Sequence, residues 1–320
     1  MKTSTVWLII AAVFLLLGAV LFLGAVWRVN FDFSRLGGVQ YVTNTYEPGE
    51  GYQSISIHGS TADIRLVPSD TGSTKVICQD EEKILYSVAV QGDTLEVVSR
   101  DTRKWYEHIR FFPIGTPSIT LYLPPAEYAA LTVSTATGDT ELPKELTFES
   151  ICISGSTGDV TCYASVARKL EVRVDTGNIL VENVSAGSMD LSASTGKITA
   201  ASVSCEGELS VTVSTGKARL NHITCGTFTS AGSTGDLLME DVIADTWFSI
   251  TRSTGDVTFR SCDAAELFVS VDTGDVTGSL LTEKQFLTQT STGQIHVPKT
   301  ATGGKCEITT STGDIEIEIP

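Results

Sequence analysis

Six aspartates stand immediately after a Thr-Gly pair: Asp139, Asp159, Asp236, Asp256, Asp275 and Asp314. Carboxylates that recur at one place in a sequence could do two kinds of chemistry. Stacked, they could form an oxygen-rich column for Ca²⁺. Set beside arginines such as Arg173, Arg219 or Arg252, they could cleave an acidic polysaccharide by acid–base catalysis, as some parallel β-helix enzymes do. A solvated acidic edge is the simpler reading. Lys197 and Lys217 interrupt the column, and the nine-residue calcium-binding β-roll repeat is absent. The four histidines, His58, His108, His222 and His296, show no metal-ligand spacing. Nucleophile-elbow, HExxH, phosphate-loop and dinucleotide signatures are also missing. No catalytic, cofactor-binding or metal residue is assigned on this basis, and the chain reads as non-enzymatic.

One stretch departs from the acidic pattern. In RDTRKWYEHIRFF, Arg100, Arg103, Lys104 and Arg110 alternate with Trp105, Tyr106, Phe111 and Phe112. Cations beside aromatic faces suit glycans, anionic polymers or lipid headgroups, so this run is the candidate binding patch. The competing reading is a loop whose aromatics pack over an open end of the fold. The net charge of −16 excludes nucleic acid as the main partner, because phosphate binding needs clustered cations.

These residues are positioned by a repeat. The dipeptide Thr-Gly recurs with its glycine at Gly138, Gly158, Gly177, Gly196, Gly216, Gly235, Gly255, Gly274, Gly293 and Gly313, in steps of 19 or 20 residues. Before each glycine, apolar residues alternate, as in Leu209, Val211 and Val213; after it they alternate again, as in Val257 and Phe259. Period-two alternation is a strand with one buried face. A single copy cannot cover that face, but stacked copies can. The sequence therefore predicts an all-β chain, a parallel β-solenoid of about ten rungs of 19–20 residues. At a strand spacing of about 4.8 Å it would form a rod on the order of 45–50 Å long. Glycine serves the sharp corner, and the preceding Ser/Thr pair is expected to form hydroxyl ladders between rungs.

Two details strain the pattern. Arg252 falls at an inward position, which predicts a local distortion or a carboxylate partner. Cys205 and Cys225 occupy equivalent positions on adjacent rungs. They would be bridged in an oxidising compartment or buried as free thiols.

The 22 residues from Val6 to Trp27 carry no charge, long enough for a membrane-spanning helix with tryptophan at each end. They exceed the apolar region of a cleaved signal peptide. The expected organisation is a short tail (1–5), a transmembrane helix (6–27), a stalk (28–50), an irregular β capping region (51–130) and the solenoid (131–320). The final strand, DIEIEIP, alternates glutamate and ends in proline. Both are edge-blunting devices, so this strand is expected to close the stack.

The membrane helix, the segment ITLYLPP with LTVSTATGDTEL, and the serial STGD turns together resemble the DUF4097 family of bacterial β-strand-repeat, adhesin-type proteins, LiaG-like members included. The resemblance covers roughly residues 50–320. It implies a membrane-anchored, non-catalytic solenoid on the cell surface, its bulk outside the cytoplasm, binding a glycan, a cell-wall polymer or another protein. It implies equally a cell-envelope stress accessory acting at the membrane. A polysaccharide-cleaving β-helix remains the third alternative. The resemblance supplies no catalytic residue and no cofactor; Ca²⁺ on the aspartate column is the one cation the residues suggest.

Overall fold

The computed structural model describes residues 3–28, 41–81, 84–101 and 117–319. The chain opens with helix α1 (Thr3–Arg28). Among the described residues, no helix is long and apolar enough to cross a membrane. The side chains of α1 are described without a break only over 10–24. At about 1.5 Å per residue that run is shorter than a bilayer core of about 30 Å. The expected span over 6–27 therefore rests on sequence alone.

Seven strands precede the glycine repeats: β1 (Tyr41–Tyr46), β2 (Ser54–Thr61), β3 (Asp63–Pro68), β4 (Lys75–Glu81), β5 (Ile84–Gln91), β6 (Thr94–Asp101) and β7 (Ser118–Leu123). β1 lies inside the expected stalk and corrects it. It pairs antiparallel with β4, from Tyr41 opposite Glu81 to Tyr46 opposite Val76. The Tyr46 hydroxyl donates to the Tyr86 carbonyl at 2.9 Å, and Asn44 Nδ2 donates to Asp80 Oδ2 at 2.6 Å. Those partners lie far along the chain, so the polar composition of 41–46 conceals a strand. β5 and β6 form the hairpin expected around Gly92, whose φ is +64°.

The repeats supply β8 (Glu127–Thr137), β9 (Thr140–Leu142), β10 (Thr147–Thr157), β11 (Val160–Cys162), β12 (Val166–Thr176), β13 (Ile179–Glu182) and β14 (Ser185–Thr234). They continue with β15 (Leu237–Thr254), β16 (Val257–Thr273), β17 (Val276–Leu280), β18 (Lys284–Thr292), β19 (Ile295–His296), β20 (Gly304–Thr312) and β21 (Ile315–Glu318). A strand buries every second residue, so the buried set changes phase wherever an odd step separates inward positions. Around Gly216 the buried residues are Leu209, Val211 and Val213, then Ala218 and Leu220, then Ile223 and Cys225, then Phe228. Each phase change marks a corner, and the coil is three-sided. The alternation between 19 and 20 residues is absorbed at the third corner. There Cys225 pairs with Ala244, but the next matched pair is Phe228 with Phe248.

All rungs pair parallel and in register, with equivalent residues aligned: Val133 on Ile153, Ile153 on Val172, Val172 on Leu191. Their inward residues form one continuous core from Ile55 to Ile317, each full burial of a Val, Leu or Ile contributing about 1.5–3 kcal/mol. The first rung is β2 with β3. β2 pairs parallel with β8, and Ser60–Asp63 supplies its corner, with Ala62 where later rungs have glycine. On the far side of this rung, β6 and β7 pair parallel with β2 and β3, and then antiparallel with β5 and β4.

The other end overturns the expectation for the C-terminus. β20 pairs with both β16 and β18, and β21 with both β17 and β19. The last rung in sequence is thus inserted between its two predecessors, and β18 with β19 forms the edge. DIEIEIP does not blunt an edge: Ile315 is 0% exposed, whereas Ile295, its register partner on the outer rung, is 41% exposed. The inward positions of β18 include Thr288 and Thr290 where other rungs carry mostly aliphatic residues, as suits a rung with water on one side.

Candidate functional site

The repeated corner is where the same side chains recur most often along the stack. All ten glycines have φ between +126° and +153°, a region that side chains other than hydrogen rarely enter. The stack enforces the same choice. A Cβ on Gly235 would lie 1.6 Å from the Gly216 carbonyl oxygen, and one on Gly313 would lie 2.0 Å from that of Gly274. Ala62 stands at the same place on the first rung without a positive φ, so its Cβ is tolerated there, and Asp63 N–H donates to the Pro117 carbonyl at 2.9 Å.

The aspartate after the glycine has a structural task. Each Oδ1 accepts the N–H of the equivalent residue on the next rung: Asp63 from Asp139 at 3.0 Å, Asp139 from Asp159 at 2.8 Å, and Asp159 from Asn178 at 2.7 Å. The series resumes with Asp236 accepting from Asp256 at 3.3 Å, Asp256 from Asp275 at 3.0 Å, Asp275 from Asp314 at 2.7 Å and Asp314 from Gln294 at 2.7 Å. The last two steps follow the inverted rung order. The ladder therefore runs through these carboxylates, while the glycine N–H bonds the neighbouring threonine carbonyl, as in Gly158 to Thr176 at 3.0 Å. These N–H donors have no other partner at the corner, which is why an acceptor side chain recurs there. Among the described residues, no group of three or more His, Cys, Asp or Glu is arranged to hold a metal ion.

At Lys197 and Lys217 the carboxylate is replaced by a cation. Lys217 Nζ lies 2.9 Å from Asp236 Oδ2 and holds that carboxyl below its usual range. Around this interruption lies an open groove of about 360 Å³, lined by Lys197, Lys217, Arg219 and Arg260 with Asp236 and Asp256. A second groove, of about 540 Å³, lies on the same side near the first rungs. It is lined by Asp63, Arg65, Asp139, Glu141, Asp159 and Tyr163, with Arg65 paired to Glu141 at 2.8 Å. A third depression, of about 690 Å³, contains the buried pair of Lys284 and Asp263, 2.7 Å apart.

Arg252 faces inward and is 2% exposed, with neither the carboxylate nor the distortion that the sequence predicts. Its room comes from the rung beside it. A Cβ on Gly232 would lie 1.8 Å from Nη1. Ser230, also inward, accepts from Nη2 at 2.8 Å and donates to the Val211 carbonyl at 2.9 Å. Burial pulls the guanidinium down to about 10, and Nε has no partner. Arg252 therefore cannot serve on an outer face. Arg173 is on the surface but is engaged by Glu171 at 3.0 Å and Asp190 at 3.1 Å. Of the aromatic–basic patch, Arg100 is exposed in β6, opposite Leu85. Arg103, Lys104, Trp105, Tyr106, Arg110, Phe111 and Phe112 lie outside the described residues.

Sequence reasoning missed a second column of corners. Asn183, Ser202, His222, Asp241 and Ser261 have φ between 51° and 56°, each six residues after a corner glycine. Their types were the available signal, since Asn, Asp and His tolerate the left-handed region better than most residues. All seven cysteines are free. Cys205 and Cys225 are buried and unbridged, and burial pushes the Cys225 thiol up to about 12, which removes thiolate reactivity.

No curated protein matches the sequence. Among solved structures, a "putative adhesin" from Parabacteroides distasonis is similar over 88% of this chain and 98% of its own, at 11% identity and a TM-score of 0.50. A "putative lipid binding protein" from the same organism covers 87% and 97%, at 14% identity and a TM-score of 0.48. At 11% identity the first of these likenesses speaks for the fold alone. The family model described as Toastrack DUF4097 matches residues 52–216 and 206–320. The chain belongs to the Toastrack DUF4097 family.

Proposed function

We propose that this chain is a non-catalytic, adhesin-like rod displayed at the cell surface, anchored by residues 6–27 with its bulk outside the cytoplasm. The observation that carries the reading is what the repeated carboxylates do. Their Oδ1 atoms are engaged by the next rung's backbone, so these recurrent carboxylates hold the scaffold together. What remains for other molecules is the long outer surface with its open grooves, together with the segment containing Arg100, Arg103, Lys104, Trp105, Tyr106, Arg110, Phe111 and Phe112. Glycans, cell-wall polymers or another protein are the partners such a surface suits. The anchor is supported by the uncharged run Val6–Trp27.

Protease treatment of intact cells carrying a C-terminal tag tests the placement. Loss of the tag without lysis is expected. A tag cleaved only after lysis would remove the surface reading and favour an envelope-stress accessory working on the inner side of the membrane.

A further inference from the structure

The inverted rung order leaves the C-terminal end of the solenoid with an unguarded strand. Among the described residues, β18 is paired on one side only, by β20, and β19 only by β21. From Gln285 to Thr292 the edge, QFLTQTST, has neither charge nor proline. Natural edge strands normally carry one or the other to prevent pairing with a second chain. The basic residue at its start, Lys284, is 3% exposed and neutralised by Asp263 at 2.7 Å. Beside the unpaired backbone lie Leu287, 55% exposed, and Ile295, 41% exposed. The Glu316, Glu318 and Pro320 that would have guarded an edge belong to the inserted rung and its tail.

We propose that this tip pairs with the same tip of a second copy, β18 running antiparallel to its mate about a two-fold axis. An uncharged strand is complementary to itself in that arrangement, since no like charges are brought opposite one another. The two-fold closes the assembly at a dimer, with β20 behind each β18. The axis crosses the joined rods at their tips, so their N-terminal ends point in opposite directions. On the proposed anchoring, which this part of the inference requires, such a dimer bridges two membranes. The adhesin-like rod would then be homophilic, its partner being the same chain on the facing surface.

The test uses the full chain in detergent and in phosphatidylcholine vesicles. Sedimentation velocity reads the dimer, flotation reads the anchor and light scattering reads vesicle clustering. Wild type is expected to dimerise, float and cluster vesicles. Leu287→Lys and Gln289→Lys, both at exposed side chains, are expected to weaken the dimer roughly tenfold or more and abolish clustering with the thermal melt unchanged. Leu85→Lys, on the β5 edge at the other end, is expected to leave both intact. A chain monomeric at all concentrations would overturn the proposal, as would a dimer broken by Leu85→Lys and untouched by Leu287→Lys. Failure to float would sink the anchor while the sedimentation result still decides the pairing. Dimers that float without clustering vesicles would overturn the bridging of membranes.

Discussion

The two ends of the solenoid solve the same problem differently. At the N-terminal end, the parallel stack passes into antiparallel strands: β6 pairs with β5, and β7 with β4, which carries β1. At the C-terminal end the chain turns back and slides its last rung beneath the one before it. One end is finished by extra strands, the other by choosing which rung faces water. The rung chosen has threonines at two inward positions, while the aliphatic Ile308, Ile315 and Ile317 go inside. The difference shows that sequence order and spatial order part company where the burial of side chains decides between them.

Substitutions can break this comparison. The largest effect is expected in the middle of the stack: Gly235→Val introduces a Cβ where the Gly216 carbonyl oxygen is 1.6 Å away, at φ +126°. It should cost more than about 4 kcal/mol, measured by denaturant unfolding. Gly293→Val meets a similar obstacle at the edge rung, so it should release that rung and leave the main transition close to wild type. Next comes the pair that reads rung order directly. Ile315→Ala, in the fully buried last strand, should cost about 2–5 kcal/mol. Ile295→Ala, in the same column on the exposed rung, should cost less than about 1 kcal/mol. The opposite ranking would restore the C-terminal strand to the edge.

Smaller effects sharpen the account of what joins the rungs. Asp275→Ala removes the acceptor for Asp314 N–H at 2.7 Å and should cost about 1 kcal/mol. Arg252→Met should be neutral or stabilising by about 1–4 kcal/mol, since no carboxylate compensates the buried guanidinium. The Asp236 carboxyl is held below its usual range chiefly by the hydrogen bond from Lys217. A depressed carboxylate contributes stability above its unfolded pKa and loses it as pH falls through the folded one. The same bond raises the Lys217 ammonium, whose contribution is lost as pH rises through its folded pKa, so Lys217→Ala should flatten both the acid and the alkaline limbs of the stability profile. Ser202→Gly should be the smallest change, a gain of about 0.5–1 kcal/mol from relieving a left-handed serine at φ 53°.

The solenoid was legible because its signal is written ten times. Alternation located the inward residues, and Thr-Gly located the first corner. The second corner was less visible because polar residues at Asn183, Ser202 and His222 look like any surface turn. The role of the aspartates was hidden for a related reason: an exposed acid that bonds a neighbouring backbone N–H has the composition of a solvated one. Lys197 and Lys217 obscured it further by breaking the ladder. The rung inversion was concealed by the period itself, since the steps from Gly274 to Gly293 and on to Gly313 are 19 and 20 residues, like all the others. Thr288 and Thr290 were the available clue, because two hydroxyls at inward positions fit best where one side of the rung is wet. Arg252 could be seen as an anomaly, but its accommodation required knowing that Gly232 and Ser230 lie beside it.

Hydrogen–deuterium exchange on the full chain at low concentration tests the rung order most directly. The inverted stack predicts protected amides at Ile315 and Glu316, which have strand neighbours on both sides, and fast exchange at alternate amides of Lys284–Thr292, which have one. Fast exchange in the C-terminal strand with full protection of Lys284–Thr292 would show that the rungs follow the sequence, and the open tip described here would not exist.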